Sequence, residues 1–194
     1  MQPAFLPLKQ QVIQKAREIL SKEPIFLDTE TTGLGTSDEI IEIALVDHEG
    51  NILFQSLIHP TIPIPAESSR INNITNEMVQ SAPYWHQVWP DVGALLQGKI
   101  AVIYNSEFDV RMMTQTHQAW RIPWKKTFMP VCLMKLYAAF LGDWNSYKND
   151  FRFVTLEKAG QQCGIQIPNS HRATDDTLLA HALLKYLASL EIAS

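Results

Sequence analysis

Apolar residues recur along this chain with two periods, one typical of helices and one typical of strands. Apolar positions three and four residues apart predict helices over 8–21, 84–96, 106–120, 156–163 and 173–190. Short apolar runs predict strands over 25–34, 38–47, 52–59 and 99–104. Thr75 is the expected N-cap of a further short helix, and Ser106 that of the helix over 106–120. Residues 130–141 predict a helix, with a strand near 130–133 as the alternative.

The order of these elements predicts an α/β fold. The turn at 49–51 is too short for anything but a hairpin, so the first three strands should be antiparallel. Strands alternating with helices follow, which favours a mixed five-stranded sheet flanked by helices: three antiparallel strands, then parallel ones. Residues 59–67 and 142–150 predict loops, the second a mobile one. We expect one domain over 1–194, with 1–23 as an N-terminal helical extension.

Composition excludes some classes of function and leaves others open. No apolar run is long enough to span a bilayer, and the N-terminus lacks the layout of a signal peptide, so we expect a cytoplasmic protein without membrane contact. Cys132 and Cys163 are too few for a disulfide framework and are expected to be reduced thiols. The net charge of −4 argues against a broad basic surface for nucleic acid, although an acidic metal site would itself supply such a charge.

Five polar side chains stand where the predicted elements begin or end. Asp28 and Glu30 lie two residues apart on the first strand, so they point to the same face, where two carboxylates repel unless a cation joins them. Asp109 opens a helix after a buried strand, and His171 and Asp176 begin the last helix. Taken alone, Asp28 and Glu30 are equally compatible with a solvated strand edge, and the acids and the histidine at the helix starts are better explained as ordinary first-turn residues. Their joint occurrence favours a cation site.

Three segments carry a resemblance to a known family. D-T-E-T-T-G at 28–33, Y-N-S-E-F-D at 104–109 and H-R-A-T-D-D at 171–176 resemble the three motifs of the DEDDh, or DnaQ-like, 3′–5′ exonucleases. That family includes polymerase III proofreading subunits, ribonuclease T, exonuclease X and oligoribonuclease. The resemblance runs from about residue 25 to 190, and R-I-N-N-I-T-N-E-M-V at 70–79 is similar to the family segment between the first two motifs. It implies a ribonuclease H-like fold.

The resemblance also implies roles for individual residues. Two divalent cations, Mg²⁺ or Mn²⁺, would be held by four carboxylates, those of Asp28, Glu30, Asp109 and Asp176. His171 would be the general base, and the loop residues 168–170 before it would let it swing inward when substrate arrives. The residues expected to contact substrate are Thr31, Thr32, Leu34, Asn72, Asn105 and Phe108. Tyr104 stands where many members of the family carry histidine, and Asn72 stands where some proofreading subunits carry it, which leaves substrate preference open.

The function so implied is a metal-dependent 3′–5′ exonuclease. It would trim single-stranded 3′ ends, with DNA favoured, and release nucleoside monophosphates. Three alternatives stay open at this point: a 3′ exonuclease for RNA or oligoribonucleotides, a polymerase-associated proofreading module, and an unrelated metal-dependent phosphohydrolase. A polymerase or a second copy of the chain is a possible partner.

Overall fold

The fold is built on a five-stranded sheet, seen in a computed structural model that describes residues 7–167 and 170–192. The strand order is β3-β2-β1-β4-β5. β2 pairs antiparallel with both β1 and β3, whereas β4 pairs parallel with both β1 and β5. The predicted mixed sheet is therefore confirmed. The strands are β1 (Ile25–Thr31), β2 (Ile40–Val46), β3 (Ile52–Leu57), β4 (Ile100–Ile103) and β5 (Met129–Cys132).

Eight helices of the described residues surround this sheet, and a short separate hairpin lies beyond its edge. The hairpin consists of β6 (Trp144–Asn145) and β7 (Asp150–Phe151). The helices are α1 (Leu8–Leu20), α2 (Ala66–Asn72), α3 (Asn76–Val79), α4 (Trp85–Leu96), α5 (Ser106–Ala119), α6 (Leu133–Leu141), α7 (Leu156–Gln162) and α8 (Ala173–Ser189). Within the described part of the chain, no helix is both long enough and apolar enough to cross a membrane.

The inner strands β1, β2 and β4 bury both faces because a helical layer covers each face of the sheet, whereas the edge strands β3 and β5 are partly exposed. Phe26 on β1 packs into the core formed with α1, α6, α7 and α8. Its neighbours Ile25 and Leu27 point the other way, into the core formed with α4 and α5. The same alternation carries Asp28 and Glu30 onto the face of Phe26, which is the face that α8 covers. The sheet thus determines which helix these two acids meet.

The helix predicted over 130–141 is wrong in its first part. Residues 129–132 form β5, parallel to β4, and α6 begins only at Leu133. The strand near 130–133 that was the alternative is the structure observed. Pro130 is compatible with it because β5 is an edge strand, where the missing N–H is tolerated.

Three other local predictions need correction. Helix α2 begins at Ala66, inside the end of the predicted loop over 59–67, one residue after Pro65 fixes an extended backbone. The predicted irregular loop over 142–150 contains most of the β6–β7 hairpin. Ser106 is the first residue of α5, and the cap position belongs to Asn105, whose side chain makes no capping bond. By contrast, Thr75 caps α3 as predicted, accepting a hydrogen bond from the amide of Met78.

Candidate active site

Three carboxylates meet where β1 ends beneath the start of α8. Oxygen atoms of Asp28, Glu30 and Asp176 all lie within 4.8 Å of one another. β1 contributes the first two acids because strand residues two apart share a face, and α8 contributes the third from its first turn. Such a set of hard oxygen donors is what Mg²⁺ and Mn²⁺ prefer.

Asp109 reaches the same region from the opposite layer. It lies in the first turn of α5, which packs on the other face of the sheet, and it is 3% exposed. The hydroxyl of Thr29 donates to its Oδ1 at 2.8 Å, so the strand residue between Asp28 and Glu30 fixes the orientation of this fourth acid. Asp109 is not part of the compact trio, although it adds to the electrostatic repulsion at Asp28.

All four acids line a cleft of about 410 Å³. His171 lies on its rim, exposed, with a backbone φ of 53°. Asn105 and Phe108 also line the cleft, as does Tyr104, whose hydroxyl donates to the carbonyl of Val154 at 2.9 Å. The predicted mobility of His171 was attributed to residues 168–170, of which 168 and 169 lie outside the described residues.

The pKa values of three acids of the cleft, Asp28, Glu30 and Asp109, are raised above their ordinary values. Burial raises the pKa of Asp28 well above its ordinary value, and the neighbouring carboxylates of Asp109, Glu30 and Asp176 raise it further. The pKa of Glu30 rises to about 8, first through burial and then through the charges of Asp176 and Glu42. Burial also raises the pKa of Asp109 to about 7, against a lowering by the hydrogen bond from Thr29. Positive charge in the cleft would relieve this repulsion.

The sequence reasoning missed Glu42 and its partner Arg172. Glu42 is buried in the middle of β2, where it pairs across the sheet with Glu30 and accepts hydrogen bonds from Arg172. A signal was available in the sequence, since Glu42 is the one charged residue of the strand I-I-E-I-A-L-V. An acid in a fully buried strand needs a partner.

The other predicted substrate residues are placed differently from Asn105 and Phe108. Thr32 is fully buried, its amide donates to the carbonyl of Glu39, and its hydroxyl donates to Asp38. The hydroxyl of Thr31 donates to the carbonyl of Gly33, and Asn72 is buried with its amide nitrogen 3.3 Å from the carbonyl of Thr31. These side chains hold the turn after β1. Leu34 is 79% exposed.

A mixed sheet with a buried acidic cleft at its strand ends defines a nuclease-like phosphodiesterase, and the comparisons identify the family. The model of the RNase T exonuclease family matches residues 25–184. The chain is 35% identical to the uncharacterized exonuclease CP81 of Escherichia phage 186 over 183 residues, which are 91% of this chain and 94% of that one. The chain belongs to this exonuclease family, of the DEDDh type, as the motifs predicted.

Polymerase-associated proteins are also among its relatives. The chain is 31% identical to DNA polymerase III subunit epsilon of Treponema pallidum over 168 residues, 79% of this chain and 75% of that protein. It is 27% identical to DNA polymerase III PolC-type of Clostridium perfringens over 179 residues, which span 90% of this chain and 12% of that protein. The chain therefore matches a small part of the PolC-type enzyme.

Solved structures share the fold. Exonuclease X, in complex with 5′ overhanging duplex DNA, has a TM-score of 0.61 and 26% identity, covering 84% of this chain and 89% of that one. The nuclease domain of 3′hExo, a DEDDh family member bound to rAMP, has a TM-score of 0.69 and 18% identity, covering 89% and 96%. At 18% identity, the similarity to the 3′hExo domain supports a shared fold and nothing further. Together with the family match, these findings establish an exonuclease acting on nucleic acid.

Proposed function

We propose that this protein is a two-metal 3′–5′ exonuclease that removes nucleotides from single-stranded 3′ ends, with DNA the favoured substrate. The observation that carries the proposal is the meeting of Asp28, Glu30 and Asp176 within 4.8 Å, beside Asp109 and the rim residue His171. A buried cluster of like charges is costly unless cations bind there. The cluster therefore destabilises the fold as long as no cation is bound.

The carboxylates of Asp28, Glu30, Asp109 and Asp176 are the proposed ligands. When bound, two Mg²⁺ or Mn²⁺ ions would lower the pKa of the attacking water and stabilise the leaving 3′-oxygen. The pKa values of about 8 for Glu30 and about 7 for Asp109 mean that these ligands must give up protons on binding cations. Cation affinity should therefore increase with pH through the neutral range.

His171 is the proposed general base. Its exposed position on the cleft rim leaves a ring nitrogen able to accept a proton from the attacking water. Asn105 and Phe108 are the proposed contacts of the terminal nucleotide, through an amide hydrogen bond and the ring face respectively, because both line the same cleft. Leu34 is exposed enough to pack against a base.

The preference for DNA over RNA rests on relatives. Exonuclease X has been solved with a duplex DNA that carries a 5′ overhang, and subunit epsilon belongs to a DNA polymerase. The 3′hExo domain was solved with rAMP, so its fold also accepts a ribonucleotide. RNA or an oligoribonucleotide is accordingly the alternative substrate. Matched DNA and RNA oligonucleotides in direct competition would separate the two.

The test is a shortening assay with 5′-labelled single-stranded oligonucleotides in Mg²⁺ or in EDTA. The expected result is a ladder of products shortened from the 3′ end, with nucleoside monophosphates released and no product in EDTA. Asp176→Asn should abolish the ladder, whereas Asp91→Asn should retain it, because Asp91 is an exposed acid of α4 and is not part of the trio. Metal-independent shortening, or equal loss in both variants, would reject the proposal.

A proofreading role is the second candidate, favoured by the similarity to subunit epsilon. A proofreading exonuclease should prefer a mismatched 3′ terminus and should bind a replicative polymerase. Comparing matched and mismatched primer ends, and running size-exclusion chromatography with and without a polymerase III α subunit, would test both properties. Equal rates on the two ends, together with no co-elution, would reject the proofreading role and favour an enzyme that works without a polymerase. The same column run would reveal a homodimer.

A further inference from the structure

A fifth acid lies beside the acidic trio but is bound by protein groups. Glu42 on β2 is directly opposite Glu30 in the β1–β2 pair, and residues opposite each other in a sheet project to the same face. Glu42 is 7% exposed and belongs to a strand whose residues are all buried. Its carboxylate therefore faces the same interior as the proposed cation ligands.

Both oxygens of Glu42 are engaged from the start of α8. Nε of Arg172 lies 3.1 Å from Oε1 and 3.1 Å from Oε2, and Nη2 lies 2.6 Å from Oε1. The backbone amide of Ala173 donates to Oε2 at 2.9 Å. Ala173 is the first residue of α8 and is buried, so without Glu42 its amide would be one of the unsatisfied donors of a helix start. Glu42 thus caps the N-terminus of α8, although it lies on β2 and precedes Ala173 by 131 residues in the chain.

In the chain, His171 is flanked by Arg172, which contacts Glu42, and by Ser170, which makes a second contact. On its other side, the hydroxyl of Ser170 donates to Oδ2 of Asp175. The backbone of His171 has a φ of 53°, in the left-handed region that residues other than glycine adopt infrequently. Such a conformation persists where the surrounding structure holds it. Its neighbours on both sides are anchored, one to β2 and one to the first turn of α8.

We infer that Glu42 and Arg172 are a positioning pair for His171, holding its backbone in the left-handed conformation that places the imidazole on the cleft rim. Neither residue of the pair lines the cleft in which cations and substrate would bind, and the pair acts through the segment 171–173. The inference rests on the proposed function of His171 as general base. It predicts that loss of the pair lowers catalysis only while His171 is present.

Kinetics in a double-mutant cycle supply the first readout. Arg172→Gln should lower kcat at saturating Mg²⁺ by about 10- to 100-fold with KM for the oligonucleotide changed little, because a displaced base loses proton transfer and not substrate binding. In the His171→Ala background the same change should have less than about a twofold effect. Arg172→Lys keeps the charge but loses the two-pronged geometry, so its kcat should lie between those of the glutamine variant and the wild type. An equal loss in both backgrounds would overturn the inference.

Arg17→Gln is the matched control. Arg17 on α1 donates to the carbonyls of Ala188 and Leu190 at the other end of α8, at 2.9 and 2.7 Å. Its loss should loosen the helix far from His171 and leave kcat unchanged. If it lowers kcat as much as Arg172→Gln does, general weakening of α8 explains both, and the positioning role is rejected.

Hydrogen–deuterium exchange gives a readout that needs no activity. In the metal-free protein, Arg172→Gln and Glu42→Gln should speed exchange of the amides of Ala173 and Asp176 by about tenfold, the size expected for loss of a charge-assisted bond. Unchanged protection would reject the pair even if the wild type proved inactive. An inactive wild type with faster exchange in both variants would instead reject the proposed function and retain the anchoring contact.

Discussion

Replacing Glu30 by glutamine should stabilise the metal-free protein, by an amount that grows with pH. The folded protein raises the pKa of Glu30 from the ordinary 4.5 to about 8, through burial and the charges of Asp176 and Glu42. Between these two values the folded state holds a proton that the unfolded state has lost. Stability of the wild type therefore falls as pH rises through that window. Glutamine resembles the protonated side chain and cannot ionise.

The size of the effect follows from that pKa difference. At about 1.36 kcal/mol for each pKa unit, the change from 4.5 to about 8 sets a ceiling of about 5 kcal/mol on the cost of ionising Glu30 in the folded state. The variant and the wild type should be similar near pH 4.5. Above pH 8 the variant should be more stable by an amount on the order of 2–5 kcal/mol.

The assay is urea unfolding in EDTA, followed by tryptophan fluorescence and repeated from pH 4.5 to pH 9. Glu67→Gln, which changes an exposed acid in the first turn of α2, is the control and should show little pH-dependent difference. Added Mg²⁺ should stabilise the wild type at pH 8.5 more than the Glu30 variant. A Glu30→Gln protein no more stable than the wild type at pH 8.5, or a difference that does not vary with pH, would refute the assigned electrostatic strain.

Three further results are expected. His171→Ala should lower kcat by about 10²–10⁴-fold with unfolding midpoints unchanged, and a loss under tenfold would exclude it as the general base. Asp109→Asn should abolish metal-dependent cleavage while leaving a folded protein, checked by shortening assay and circular dichroism; retained activity would remove Asp109 from the ligand set. Asn105→Ala should raise KM for oligonucleotides more than it lowers kcat, and an unchanged KM would exclude a nucleotide contact there.

The first strand shows why part of the site was predictable. A period of two decides that Asp28 and Glu30 share a face, and the structure brings them together with Asp176. The resemblance implied a ligand role for Asp176, and the adjacent Asp175 accepts a hydrogen bond from Ser170. Local pattern and family resemblance are sufficient to predict site residues whose geometry is set within one strand or helix or by one recurrent motif.

Other contacts depend on register and layer packing that the sequence does not display. The pairing of Glu42 with Arg172 joins residues 130 apart and exists because β2 and α8 meet at one register. The bond from Thr29 to Asp109 joins β1 to α5 on the face of the sheet that α5 covers, between residues 80 apart in the chain. Pro130 argues against a central strand, so β5 becomes recognisable only once the strand order places it at the edge of the sheet.

The central claim is that cations bind between the acids of β1, α5 and α8. Soaking crystals in Mn²⁺ and measuring anomalous scattering tests it directly. The account predicts two anomalous peaks in the cleft, within bonding distance of carboxylate oxygens of Asp28, Glu30, Asp109 and Asp176. An empty cleft at saturating Mn²⁺ with a nucleoside monophosphate bound, or peaks elsewhere on the protein, would contradict it.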